Sequence, residues 1–250
     1  MLLVLFTTSL LSLNACKGEP SIEEITALVN QKIVKDVFKI KVPGFVNVIN
    51  GVPTIAIAVP LDDPLAVNSV HKIFNSDFGF SKTDAQQNAI AVKKFKATLS
   101  FYEALQKGNL VKIESGEFFC TTCHEGYYAG YKVTLTKLGL ERLRGGEPIA
   151  EQGPLSGATG FFNIANYEFN IANYEVDKIT DISKIENTNT SLDGSYEFKF
   201  TKRLVNIAPK VTQEMILDLL EDSFYKVFIL NNLKEKAGMI FKDQKGDWYY

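Results

Sequence analysis

Two histidines, three cysteines, three methionines and a single tryptophan are all that this 250-residue chain has of those residue types. With so few histidines, a Ser-His-Asp triad would have to use His71 or His124, and neither sits in a supporting signature. Gly153-Pro-Leu-Ser-Gly157 has its serine displaced by one from the G-x-S-x-G pattern. Ser69-Val-His-Lys72 satisfies S-x-x-K but stands without that motif's companions. No phosphate-binding loop and no H-E-x-x-H string occurs. The net charge is only −2, which leaves no basic field to argue for nucleic acid. No apolar run approaches the roughly 20 residues that a membrane-spanning helix needs.

What is there begins at the N-terminus. Leu2 to Leu13 is a short uncharged apolar run, too short to span and suited to a secretory signal. It closes on Leu13-Asn14-Ala15-Cys16, which resembles the lipobox of bacterial lipoproteins. The resemblance implies that residues 1–15 are removed and that Cys16 carries lipid, palmitate included, on its sulfur and its new amino end. Several acyl chains make a firm anchor, since each buried methylene adds about 0.8 kcal/mol. One departure is that no basic residue precedes Lys17: either the amino terminus alone supplies the charge or translation starts upstream. Lys17 after the cysteine resembles the outer-membrane sorting signal of such lipoproteins. The expected location is therefore the cell envelope, anchored to the outer membrane and facing the periplasm.

The body reads as α+β, at 46% apolar and 22% charged residues. Residues 16–20 form a short tether. Ser21-Ile-Glu-Glu24 reads as a capping box, and Ile25, Leu28, Val29 and Ile33 carry a helix to about Phe38. Phe45–Ile49 and Thr54–Val59 read as strands around an Asn50-Gly51 turn. Asp63-Pro64 starts a short helix with Val67, Val70 and Phe74 as its buried stripe. A longer helix, capped near Thr83 and stopped at Gly108, places Phe95, Leu99, Tyr102 and Leu105 on one face. Leu110–Ile113 and Tyr131–Leu135 read as strands around a loop at 115–130. The Gly- and Pro-rich 147–160 stretch reads as a linker between a 21–146 domain and a 161–250 domain.

Phe162-Asn-Ile-Ala-Asn-Tyr-Glu168 is repeated without change as Phe169-Asn-Ile-Ala-Asn-Tyr-Glu175. Two seven-residue copies do not make a repeat architecture, and the expectation is a duplication absorbed in a loop or sheet edge. Tyr174–Ile182 and Tyr196–Thr201 alternate as antiparallel strands, Pro209–Phe224 contains a helix, and Met239–Tyr250 forms a terminal hairpin. The helix-to-hairpin run Phe101–Lys112 and Tyr131–Gly139 resembles the helix-to-wing portion of winged-helix domains. The second half resembles cystatin-like or NTF2-like folds, a curved antiparallel sheet with one helix. Neither resemblance transfers an activity.

Cys120-Thr-Thr-Cys123-His124 is the motif with chemical content. It matches the haem c attachment string, with thioethers from Cys120 and Cys123 and His124 on the iron; the sixth ligand would be His71, Met215 or Met239. A redox C-x-x-C pair and a zinc site completed by His71 are further alternatives. The plainest reading is a structural disulfide between Cys120 and Cys123, with no cofactor, metal or catalytic residue. Phe118, Phe119, Tyr127 and Tyr128 would then make a stiff aromatic contact loop. The expected role is non-enzymatic, a binding or assembly protein holding the membrane through Cys16 and an envelope partner through that loop. The alternative is a periplasmic monohaem electron carrier.

Overall fold

Helix starts in this chain are set by capping side chains. A computed structural model describes residues 19–33, 36–49, 52–120, 126–143, 168–186, 194–220, 230–243 and 246–250. Glu24 N–H donates to Ser21 Oγ at 3.1 Å and Ser21 N–H donates to Glu24 Oε2 at 2.8 Å, the expected capping box of α1 (Ile22–Ile33). Asp63 accepts from Leu65 N–H ahead of Pro64 and opens α2 (Pro64–Val67). Asp84, one residue past the expected Thr83, caps α3 (Ala85–Lys107). Thr136 Oγ1 accepts from Gly139 N–H at the start of α4 (Lys137–Leu143), and Thr212 caps α5 (Gln213–Leu219).

The strands are β1 (Val37–Lys41), β2 (Phe45–Ile49), β3 (Val52–Ala58), β4 (Val111–Cys120), β5 (Gly126–Leu135), β6 (Glu168–Lys184), β7 (Tyr196–Val205), β8 (Lys236–Lys242) and β9 (Trp248–Tyr249). They form two sheets in an α+β architecture, one ordered β1-β6-β7-β8-β9 and curled, the other ordered β2-β3-β5-β4. The described pairs are antiparallel. Ile49 faces Val52, the register of the expected hairpin; its turn at 50–51 lies outside the described residues.

Several expectations are corrected. Helix α1 ends at Ile33, not near Phe38. Val37-Phe-Lys-Ile-Lys41 alternates exposed and buried and pairs with Glu168–Asn173, a partner too distant for local periodicity to reveal. Helix α2 has one turn and no buried face: Val67 is 65% and Val70 88% exposed. The 115–130 segment is strand as far as Cys120 and again from Gly126. The second heptapeptide copy lies in β6, an interior strand, not in a loop or at an edge. Residues 1–18, the 147–160 linker and Phe162–Tyr167 of the first copy lie outside the described residues.

The chain divides into two contact units, one of Met1–Lys32, Val176–Thr201 and Glu235–Tyr250, the other of Ile33–Glu175 and Lys202–Lys234. In the first, Ile25 and Val29 of α1 are buried, and Asn30 Oδ1 accepts from Val176 N–H at 2.9 Å. Tyr196 meets Trp248 edge-on, while Phe198 and Phe200 face Tyr250. In the second, α3 packs on β3, β4 and α5. Its Phe101, Tyr102 and Leu105 are fully buried with Ile55, Val133, Phe169 and Ile216. Tyr102 is buried apart from its task of donating to Pro43 O at 2.7 Å, and burial holds its phenol well above the ordinary range. Gly108 ends α3 at φ −85°, so its need for glycine is not a left-handed turn: a Cβ there would lie 2.9 Å from Pro209 O.

The hinge between β3 and the strands of the β4–β5 hairpin is a buried carboxamide. Beyond Ala58 the backbone of β3 turns away from β5. Asn75, fully buried, donates to Val59 O at 2.8 Å and Ala129 O at 3.0 Å, and accepts from Ala129 N–H at 3.1 Å. Asn75→Ala leaves three buried backbone groups short of a partner, each worth about 1–3 kcal/mol. The expected outcome is a loss of ~3 kcal/mol in unfolding free energy by urea titration.

Candidate functional site

The β4–β5 hairpin carries the motif residues, and its register fixes where each points. Phe118 faces Tyr128, Phe119 faces Tyr127, and Cys120 faces Gly126. Alternation then sorts them. Cys120 and Tyr128 go inward, buried with Ala56, Ala58 and Phe80; Phe118 packs beside them. Burial pushes the Tyr128 phenol far up. Phe119 turns outward and is 52% exposed, its ring edge-on to Tyr127 with centroids 5.4 Å apart. The four aromatics therefore lie on strands rather than in a loop, and two face the interior. Cys120 is fully buried and disulfide-bonded. Cys16, Cys123 and His124 lie outside the described residues.

Glycine makes this hairpin possible where another chain segment comes close. A Cβ on Gly130 would sit 2.1 Å from Ile57 O, and one on Gly126 would sit 2.3 Å from a Phe74 ring carbon. The two glycines thus admit β3 and the 69–75 segment against β5.

That segment brings in residues the motif alone did not reveal. Ile73 bridges to Tyr127, and Phe74 N–H donates to Tyr127 O at 3.0 Å. His71 lies flat on the Tyr127 ring, with centroids 3.8 Å apart and planes 5° off parallel. Its Nδ1 is 2.7 Å from Glu117 Oε2, and Val70 N–H donates to Glu117 Oε1 at 2.9 Å. An ionised carboxylate only accepts, so Nδ1 carries the hydrogen of that contact. The His71 hydrogen bond is the main reason the Glu117 carboxyl is held down to about 2; burial opposes it, and the Val70 N–H adds to it. Glu117 thus ties the 69–74 segment to β4 and leaves Val70 exposed beside the His71–Tyr127–Phe119 stack. Sequence spacing offered His71 as a distant iron or zinc ligand, whereas Glu117 and Tyr127 are its partners in the structure. Nothing local marks Glu117, which is one acidic residue in an alternating strand.

A second surface lies on the β6, β7 and β8 strands of the first unit. A cavity of about 410 Å³ is lined by Asp181, Ser183, Glu197, Lys199 and Met239. Lys199 Nζ is 3.1 Å from Asp181 and 3.6 Å from Glu235, contacts that raise its pKa with Asp181 foremost. Ser183 Oγ donates to Glu197 Oε1 at 3.2 Å. These groups satisfy one another on an exposed face, where such pairs contribute little. Met215 and Met239, offered above as iron ligands, lie in different units: Met215 on α5 against the main core, Met239 on β8. Among the described residues no cluster of three His, Cys, Asp or Glu side chains is placed to hold a metal ion. No described helix is long and apolar enough to cross a membrane.

No protein-family model, curated protein or solved structure matches this chain.

The Glu117 tie makes a pH prediction with a definite sign. Its folded pKa lies below the ordinary 4.5, so its contribution is complete above about 4.5 and is lost as pH falls through about 2. Carboxyl carbon shifts followed by NMR should give Glu117 a midpoint near 2. In Glu117→Gln, hydrogen exchange at the Val70 amide should quicken while the β5 amides stay protected. A Glu117 midpoint near 4.5 would rule the tie out.

Proposed function

We propose that this chain is a lipid-anchored protein of the cell envelope with a non-enzymatic binding or assembly role, offering the tip of the β4–β5 hairpin to a protein partner. The observation that carries the binding half is the set of exposed apolar side chains there. Phe119 and Val70 stand out from rigid supports, a ten-residue strand and a backbone segment pinned at Val70, Ile73 and Phe74. Apolar groups on fixed backbone bind at low ordering cost. The anchoring half rests on Leu13-Asn14-Ala15-Cys16 and its resemblance to a lipobox. Outer-membrane placement facing the periplasm rests on Lys17.

A disulfide-bonded Cys120 supports the colourless, structural reading of Cys120-Thr-Thr-Cys123-His124 over haem c. A thioether needs that sulfur free, and the sulfur is buried among Tyr128, Phe80 and Ala58. The cofactor-free residues fit the chain better, and Cys120–Cys123 is the pairing we favour. The winged-helix-like reading of the first half has the succession α3–β4–β5 in its support; the single-turn α2 is short for the helix that should precede it. The cystatin-like or NTF2-like reading of the second half is supported by the long antiparallel β6, β7 and β8.

The test uses the full chain in a bacterial host that matures both lipoproteins and c-type haem. Wild type should take up labelled palmitate, sediment with the outer membrane and show no Soret band. Cys16→Ser should lose label and membrane together. Crosslinking to an envelope partner should fall at least about tenfold in Phe119→Ser/Val70→Ser, a loss of ~1.4 kcal/mol or more. Unlabelled wild type would remove the anchor, a covalent Soret chromophore would restore the cytochrome, and undiminished crosslinking would remove the tip as contact surface.

A further inference from the structure

The chain contains one strand position and two identical segments to fill it. Phe162–Glu168 and Phe169–Glu175 agree at all seven residues. The second copy makes the contacts of β6 with β1 and its surroundings, and each contact belongs to the repeated sequence. Phe169 is fully buried, edge-on to Tyr102. Asn170, Ala172 and Asn173 pair with Lys39, Phe38 and Val37. The register skips Ile171, a bulge that buries both Ile171 and Ala172, and Ile171 O accepts from Ala208 N–H at 2.8 Å. Tyr174 meets Phe38 edge-on at 6.0 Å and lies under the Lys202 ammonium at 5.3 Å. Glu175 is 3.6 Å from Arg203.

This slot is selective. It asks for apolar residues at positions one and three, a small one at four to pass the bulge, an aromatic at six and an acid at seven. The first copy meets every demand. Along β1, a seven-residue shift would change only the Glu168 position, which Phe161 would take. Glu168 is 40% exposed there, with a 3.7 Å contact to Lys39, and so holds little of the slot's stability.

We infer that the slot between β1 and β7 is a binding site for this heptapeptide that either copy can fill, and that Phe162–Glu168 is the intramolecular competitor of the resident copy. Exchange places Glu168 where Glu175 stands and leaves the second copy as a seven-residue excursion before Val176. Closing that excursion costs chain entropy, so the resident register prevails in the intact chain. The other copy takes over when the resident one is damaged.

The experiment compares Ile171→Asn, Ile164→Asn and the double variant in the full chain, with Tm read by circular dichroism. Ile164→Asn should leave Tm unchanged. Ile171→Asn should lower it by roughly half as much as the double variant, a departure from additivity that marks a shared site. If Ile171→Asn falls as far as the double variant, or Ile164→Asn falls by itself, the inference is wrong. Deleting one copy gives the same protein whichever is removed, and that protein should fold with an unchanged Tm. Its failure to fold would show that both copies are needed and overturn the exchange. Rescue of Ile171→Asn that fades on tenfold dilution would mean the replacement comes from a second molecule, which overturns the intramolecular form.

Discussion

A side-chain amide does the work of a peptide group at the centre of the hairpin sheet. Where β3 parts from β5, the Ala129 N–H and C=O face away from β4 and need partners. Val59 supplies one N–H, and the Asn75 carboxamide supplies both a donor and an acceptor. The amide is fully buried, so these bonds act in low dielectric and have no water to replace them. Chain direction follows from this. With Asn75 fixed, Phe74 and Ile73 reach Tyr127, His71 lies on the Tyr127 ring, and Val70 meets Glu117. The exposed tip is thus a consequence of a polar contact in the interior, several residues away.

Signals that act over a few residues were legible in the sequence. Ser21 with Glu24, Asp63 with Pro64, Asn50-Gly51 and the Asp243–Gly246 turn each fix geometry through neighbours, and the elements around them follow. What was not legible depends on partners far along the chain. Val37–Lys41 extends a helical pattern if read alone. It is a strand because residues near 170 offer it an edge, and its own alternation fits that edge. Phe162 to Glu175 was read as loop or sheet border because a seven-residue unit reverses face. The bulge at Ile171 resolves that conflict inside a single copy, by spending one residue to shift the phase.

The candidate site shows the same division. Cysteines and aromatics drew attention by type, and the structure keeps Phe119 and Tyr127 near the surface as expected. Gly116, Gly126 and Gly130 suggested a loop because glycine often breaks strands. Here at least two of them are present for close approach, so that Phe74 and the Ile57 carbonyl can pass. Val67 and Val70 followed a helical stripe on paper, but a helix of one turn has no side to bury. Glu117 and Asn75 carry no motif at all; their importance comes from geometry formed only when three separate segments meet.

The burial of Cys120 also sets an order of events. Its sulfur has no exposed surface, and the Tyr128 and Phe80 rings lie in the cluster around it. Disulfide exchange needs an attacking thiolate in line with the bond, and no reagent reaches a sulfur enclosed in this way. Oxidation therefore has to come before the aromatic rings close. A chain that closed first would keep a thiol sheltered from every oxidant. A chain that oxidised first keeps its bond sheltered from every reductant. The finished molecule preserves a record of the redox surroundings in which it folded, whatever surroundings it later meets.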